Sequence, residues 1–382
     1  MSIPKRTVQS VAVIGGGIIG LSCALALADR GVRVTIYDIN WPPRGASWAA
    51  AGMLAPAFEA AADPDTHPDL FRLCDVSAQL WPDWAARLQV RSGLPSGYLP
   101  GPSLAVATTR ADAEMFRRVE TILSDHPLAP IDCTSTVHEV EPAVTRDARA
   151  ALLLPSDGQA DNRQTLDALI ACITGHDQIQ VCEGPAPLCA HETGLDHAGH
   201  DATLIAAGWQ SGSVEVASGS KLVRLADLVP LFDKIKTLGG QMLAVAPIEQ
   251  APKMTVRCGH LYIVPKPDRI IIGATTEPGR ILEQADPVTI ADLRRQAIDL
   301  CPVLAEAPVI ESWVGVRPGT RDHAPILGET NIPGLFAATG HYRNGILLAP
   351  ITAKIVADLI VEGRVTDLGA AFAPKLRDVE QV

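Results

Sequence analysis

Apolar residues along the chain follow two periods, and the alternation between them sets the expected fold. Val11-Ala12-Val13-Ile14 is an apolar run of strand length. Glycines follow it, then a Leu- and Ala-rich stretch to about Arg30 that reads as helix, then a second strand from Val32 to Tyr37. Across residues 64–91, Leu70, Leu73, Val76, Leu80, Trp84 and Leu88 recur at helical spacing. Residues 93–109 are rich in Pro and Gly and then β-like, and 111–125 are helical. Asp161 to Ile173 reads as a helix with Asp161 or Asn162 as its N-cap. Thr203 to Gly208 is a short buried strand. Met242 to Val245, His260 to Val264 and Ile270 to Gly273 are strands, the last two joined by a turn at Pro265-Lys266-Pro267-Asp268. A helix at 288–300, a strand at 334–339 and a long helix at 344–361 complete the chain. Blocks of α/β pattern thus alternate with blocks of antiparallel β pattern. The expected class is α/β with an α+β portion: two interleaved domains, each built from non-contiguous pieces.

Composition narrows the partners. In 382 residues, 47% hydrophobic and 20% charged, the balance is that of an ordinary folded protein. No apolar run reaches the ~18 residues of a membrane span, because Lys354 and Asp358 interrupt the longest candidate. The opening Met1-Ser2-Ile3-Pro4-Lys5-Arg6 carries no apolar signal segment, so a cytoplasmic location is expected. A net charge of −11 disfavours nucleic acid and anionic membrane as partners. The eight cysteines form no C-x-x-C pair and no zinc spacing with histidine. They are expected to be buried, reduced and structural, with no metal site.

The first chemistry-bearing motif follows the opening strand. Gly15, Gly17 and Gly20 form G-x-G-x-x-G between that strand and a helix. Gly15 permits the tight turn, Gly17 lets the backbone approach a pyrophosphate, and Gly20 lets helix and strand pack closely. The helix N-terminus offers unpaired N–H groups to phosphates. Asp38, about twenty residues on, stands where it accepts hydrogen bonds from ribose hydroxyls. An acid there suits NAD and FAD alike, and this motif alone does not choose between them.

The segment after Asp38 selects flavin. Gly45-Ala46-Ser47-Trp48-Ala49-Ala50-Ala51-Gly52-Met53-Leu54 is a run of small residues that lets the backbone lie along an extended cofactor. It resembles the corresponding stretch of the glycine oxidase branch of the D-amino-acid oxidase family. Four further blocks resemble that family in its order: His260 to Lys266, Gly273 to Glu277, Trp313 to Asp322, and Gly340 to Pro350. The resemblance spans residues 11 to about 361. It implies a Rossmann-like FAD-binding domain made from 1–90, 145–220 and 315–382. An antiparallel-sheet substrate-binding domain made from 91–144 and 221–314 is interleaved with it. It also implies FAD contacts at Gly15, Gly17, Ile18, Ile19, Gly20, Asp38, Ser47, Ala50, Gly52, Met53, Leu54, Gly208, Trp209, His341, Arg343, Asn344, Gly345, Ile346 and Leu347. Related sarcosine oxidases attach their flavin through a C-terminal cysteine. No cysteine follows Cys301 here, so the FAD is expected to be non-covalent.

Oxidising an amino acid requires a held carboxylate, a Cα–H aimed at the flavin, and a neutral amine. Arginine suits the first task, since its fork grips a carboxylate with two parallel bonds. By resemblance Arg317 is that arginine and Tyr262 adds a hydroxyl. His260 either lines the pocket or bonds within the sheet. Arg343 lies near flavin and substrate or else holds its own loop. Met53 and Thr276 are pocket walls. The implied reaction is oxidative deamination of glycine, a small D-amino acid or N-methylglycine. Hydride passes to flavin N5, dioxygen returns hydrogen peroxide, and thiazole synthesis for thiamine is a candidate destination for the imine. A dehydrogenase of D-amino acids, sarcosine or an imino acid, with a non-oxygen acceptor, is the alternative. A flavoprotein of assembly or tRNA modification lacks a supporting basic stripe. Oligomerisation is expected only by analogy with the family. The sequence departs from the family pattern at Gly184 to His200 and at Trp209 to Ser213, which places the adenine contacts in question.

Overall fold

In the computed structural model, which describes residues 8–61, 65–127, 129–192 and 194–374, the chain is organised around two large sheets. The first has six strands in the order Ile326–Glu329, Leu335–Thr339, Ala202–Ile205, Ser10–Ile14, Arg33–Asp38 and Ile179–Glu183. Every neighbouring pair is parallel except the one at the Ile326–Glu329 edge. Parallel strands covered on both faces must be apolar throughout, and Ser10–Ile14 is buried at every position. Helices Ile18–Ala28, Leu70–Ser92, Asn162–Thr174 and Gly345–Glu362 cover one face. Leu21, Leu73, Leu169 and Leu348 meet Val11 and Val13 there in a single core. This explains why Ile18–Ala28 is apolar all round: it is enclosed by sheet and helices. On the other face, Val216, Leu225 and Phe232 from a small four-stranded sheet and its flanking turns pack on Ala12 and Ile205.

The second sheet has nine strands. Eight run in the order Glu277–Pro278, Lys236–Val245, Ile270–Gly273, Leu261–Pro265, Thr255–Cys258, Ser103–Ala107, Ala150–Leu154 and Ile131–Asp132; Val309–Gly319 pairs with Lys236–Val245. Its pairs are antiparallel apart from Thr255–Cys258 with Ser103–Ala107. The two-residue period assigns its faces. Leu243, Val245, Ile263 and Ile272 pack on helix Pro287–Leu300. Met242, Val264, Ile271 and Trp313 form a separate cluster with Ala49 and Ala51 of the small-residue loop.

The strands depart from the expected segment boundaries at two joints. Ala150–Leu154 pairs with Ser103–Ala107 and so belongs to the nine-stranded sheet, although it falls inside the segment expected from 145. Val309–Gly319 is paired with Lys236–Val245 along its length, so the chain does not divide at 315. The helix expected from 64 begins at Leu70, after Pro68, with Leu70 N donating to His67 O. Residues 62–64, like the opening Met1 to Arg6, lie outside the described residues. Among the described residues no helix is long and apolar enough to cross a membrane.

Candidate functional site

The glycine motif forms a braced turn. Gly15 has φ +107°, and a Cβ there would sit 2.6 Å from Ala206 O. Its own N–H donates to Tyr37 O at 2.8 Å. The Asp38 carboxylate accepts from Gly16 N at 2.6 Å and from Asn40 N at 2.8 Å, so it ties the turn to the end of its strand while also lining the adjoining cavity. The Ser47 hydroxyl accepts from Ile18 N at 3.0 Å. First-turn amides have no intrahelical acceptor, and Gly17 and Ile19, both lining the cavity, are left to offer theirs to phosphates. No acidic residue occupies this first turn to oppose an anion.

From this turn a cavity of about 1110 Å³ extends along the small-residue loop to Tyr262, Arg317 and Arg343, with Glu183 to Ala186 and Gly208 to Gln210 on its wall. That volume exceeds the roughly 300–1,000 Å³ of most ligand pockets, as an extended dinucleotide requires. The loop is pinned from behind. Asn162 Nδ2 donates to Ser47 O at 2.8 Å and to Trp48 O at 2.7 Å, and Trp313 Nε1 donates to Ala49 O at 3.0 Å. Arg163 stacks 3.8 Å from the Trp48 ring while its fork grips Glu311 at 2.9 and 3.0 Å. Gly52, at φ +77°, lies so close to Ala160 that a Cβ would collide with the Ala160 carbonyl. A Cβ at Gly315 would meet Ala49 Cβ at 2.7 Å. The small residues therefore set the distance between loop and sheet, and the cradle they leave, with a helix N-terminus at each end, fits FAD.

The second helix N-terminus is that of Gly345–Glu362, where Gly345 and Ile346 line the cavity and no first-turn acid is present. His341 beside it is buried and kept neutral, its pKa pushed down to about 3 by desolvation; its Nε2 lies 3.0 Å from Thr352 Oγ1. A neutral ring there leaves the helix N-terminus and the nearby Arg343 guanidinium as the local positive features.

The end of the cavity around Tyr262, Arg317 and Arg343 is assembled on the nine-stranded sheet. Tyr262 pairs with Gly273 on the next strand, and a Cβ at Gly273 would sit 2.5 Å from the Tyr262 hydroxyl. A Cβ at Gly240 would likewise lie 2.5 Å from Arg317 Nη1. Two glycines on adjacent strands thus make room for a phenol and a guanidinium on one face. Arg317 Nη1 donates to Thr275 O at 3.1 Å and Gly239 O at 3.4 Å, which fixes the fork. Burial raises the Tyr262 pKa, opposed by the Arg317 and Arg343 charges, so the phenol remains a donor at neutral pH. For Arg343, burial acts against the charge but the Glu59 carboxylate and Tyr342 outweigh it, and its pKa is raised. Arg343 Nη2 approaches Thr276 Oγ1 at 3.3 Å and its guanidinium lies 5.0 Å from the Tyr342 ring.

The cavity brings together most of the residues singled out from the sequence: Gly15, Gly17, Ile18, Ile19, Asp38, Ser47, Ala50, Gly52, Met53, Gly208, Trp209, His260, Tyr262, Thr276, Arg317, His341, Arg343, Gly345 and Ile346. It does not bring in Gly20, Leu54, Asn344 or Leu347. A Cβ on Gly20 would collide with the Gly15 carbonyl, so this glycine serves packing alone. Leu54 is buried in the helix-covered core opposite Gly158. Asn344 is buried as the helix N-cap, with its N–H donating to His341 O. The Leu347 side chain is also in the core, and its carbonyl accepts from Ser77 Oγ and Trp81 Nε1. His260 is exposed in the two-residue Gly259-His260 turn rather than on the strand with Tyr262, because Cys258 pairs directly with Leu261 and Gly259, at φ +55°, closes the hairpin. Five cysteines are buried; Cys182, Cys189 and Cys258 are only half-covered. No cysteine lines the cavity, and among the described residues no cluster of His, Cys, Asp or Glu could hold a metal.

Sequence reasoning missed five charged residues on this cavity, Arg44, Glu59, Glu183, Glu215 and Arg257, of which Glu59 and Arg257 lie at the Tyr262 end. Glu59 lies on the short helix Pro56–Ala61, directly after the small-residue loop, and its charge is felt at Arg343 and Tyr262. Arg257 lies on Thr255–Cys258, a strand too short to register as a period. The available signal was an arginine three residues before His260 in an otherwise β-forming run.

Comparison with known proteins gives a consistent result. The sequence pattern of the FAD dependent oxidoreductase (DAO) family matches residues 10–359. A bifunctional ThiO/ThiG protein of Trichormus variabilis is 34% identical over 95% of this chain; the chain spans 54% of that relative's length. A glycine oxidase of Geobacillus kaustophilus is 32% identical over 92% of both chains. The crystal structure of glycine oxidase from Geobacillus kaustophilus superposes with a TM-score of 0.81 at 31% identity, covering 94% of this chain and 95% of that one.

Proposed function

Because the chain belongs to the FAD dependent oxidoreductase (DAO) family, we propose that this FAD-dependent enzyme oxidises the carbon–nitrogen bond of glycine, a small D-amino acid or N-methylglycine. The observation that carries the reading is the Arg317 fork. It is fixed by two backbone carbonyls over Gly240, close enough to Tyr262 for its charge to act on the phenol, and set at one end of a cavity whose other end is the glycine turn. Gly17, Ile19, the 45–55 loop and the N-terminus of Gly345–Glu362 would hold FAD, which when bound supplies the two-electron acceptor.

The chain's own side chains do the rest by positioning. Arg317 takes both carboxylate oxygens of the amino acid, and the Tyr262 hydroxyl donates a further bond to one of them. The carboxylate thereby fixes the Cα–H and amine relative to the cavity floor. Arg343 forms no ion pair within 4.0 Å among the described residues, and its charge, offset in part by Glu59, favours an amine bound in its neutral form. Loss of a hydride from Cα and a proton from nitrogen leaves an imine, whose hydrolysis yields an oxo acid and ammonia, or methylamine when the substrate is N-methylglycine. Dioxygen takes the two electrons and two protons as hydrogen peroxide. Likeness to the ThiO portion of the bifunctional relatives supports thiazole synthesis for thiamine as a destination for the imine.

Aerobic turnover tests the reading. With glycine or D-alanine, peroxide and ammonia are expected in equal amounts. Substrate-dependent flavin reduction without peroxide, but with transfer to a quinone analogue, would assign the dehydrogenase chemistry instead.

A further inference from the structure

Arg257 is a guanidinium on the same cavity that the mechanism above does not use. It stands on Thr255–Cys258 directly opposite Tyr262 in the antiparallel register, so the two side chains rise from one face of the sheet on strands roughly 5 Å apart. Tyr262 is flanked on its other side by Gly273, and the Arg317 guanidinium reaches it from beyond that gap. Arg257 and Arg317 therefore bracket the phenol. Arg257 is only 7% exposed and lines the cavity, with its guanidinium 4.5 Å from the Phe58 ring.

Its hydrogen bonding falls short of its charge. Nη2 meets Met53 Sδ at 3.0 Å, a weak acceptor, and Nε has no partner. Among the described residues no carboxylate comes within 4.0 Å of it. Asp157, whose pKa burial lifts to about 6 against the lowering influence of Arg257, gives one oxygen to the Ser103 hydroxyl and leaves the other unpartnered. Removing a guanidinium from water without a strong acceptor is unfavourable. Here Nε is covered, but the residue lines the cavity and Nη2 is held only by the Met53 thioether, whose displacement would open it to a ligand.

We propose that Arg257 is a second anion-binding group of the substrate site, and that the enzyme prefers small amino or imino acids bearing a second carboxylate beyond the one held by Arg317. This rests on the amino-acid oxidation reading and names the substrate class within it. The Arg317 fork holds the carboxylate beside the reacting carbon; Arg257, across Tyr262, takes the distal one, and the flexible Met53 thioether yields its place.

Titration of the FAD-loaded protein with unreactive ligands, followed by the flavin spectrum, tests this without turnover. Malonate and succinate are expected to bind at least about tenfold tighter than malonamate and succinamate, which replace one carboxylate by an amide. In Arg257→Met that ratio is expected to collapse to within about twofold. The ratio of kcat/KM for D-aspartate over D-asparagine is expected to fall in parallel. Equal affinity of the diacids and their half-amides for the wild-type protein overturns the proposal, as does a diacid preference that survives in Arg257→Met. Should Arg257→Met fail to fold, the wild-type comparison decides alone. If the diacids bind selectively but no amino acid reduces the flavin, the oxidation reading fails while the Arg257 site stands.

Discussion

Arg317→Ala is expected to raise KM for amino-acid substrates by at least about tenfold while leaving the FAD content unchanged. A buried hydrogen-bonded charge pair is worth roughly 2–5 kcal/mol when one partner is truncated, and tenfold corresponds to only about 1.4 kcal/mol. The guanidinium is held in place by the Thr275 and Gly239 carbonyls and makes no ion pair with a protein carboxylate among the described residues, which leaves it free for the pair proposed with substrate. Arg317→Lys is expected to recover little, because an ammonium cannot present two parallel donors to a carboxylate. Gly240→Val offers a control that keeps the arginine. Its Cβ would intrude within 2.5 Å of Nη1, so the fork is displaced and KM rises although the charge remains. Steady-state kinetics on the three variants, with the flavin-to-protein ratio measured alongside, checks this. A KM unchanged in Arg317→Ala removes the residue from the site.

Gly17→Val is expected to give a folded protein without flavin. Gly17 has φ −66°, which any residue adopts, and its added Cβ would meet only Ser47 Oγ, at 3.3 Å. The fold therefore tolerates the change with a small shift of one hydroxyl. The isopropyl group, however, enters the cavity at the turn where the pyrophosphate must approach the backbone. FAD affinity is expected to fall by more than about a hundredfold, so the purified variant is colourless with an unaltered far-ultraviolet spectrum. Gly15→Val would not separate these effects, since its Cβ collides with the Ala206 carbonyl and the fold suffers first. A yellow Gly17→Val protein at full FAD occupancy would contradict the placement of the cofactor.

The parts of this structure legible in the sequence are those written in local periods and in motifs. The turn at Gly15 to Gly20, the helices at 110–122, 162–174 and 287–300, and the closing strand and helix around Gly340 were all readable from spacing and punctuation. Arg317 and Tyr262 were readable through the family resemblance. What sequence could not give was the lateral order of strands. Arg257 enters the cavity because Thr255–Cys258 pairs antiparallel with Leu261–Pro265 and parallel with Ser103–Ala107, a contact across about 150 residues of chain. The same limit hid Gly240, Gly273 and Gly315, whose importance lies in what stands opposite them on the next strand or loop. His260 was misplaced: the strand expected to start at it starts at Leu261, and His260 lies in the turn after Gly259.

The most direct test is an anaerobic titration of the purified, FAD-loaded protein with glycine and small D-amino acids, read in the visible spectrum. Bleaching of the flavin band by one of them, with Arg317→Ala requiring far more substrate for the same bleaching, is the result predicted. A protein that takes up no FAD, or whose flavin band no small amino acid alters, would contradict the account.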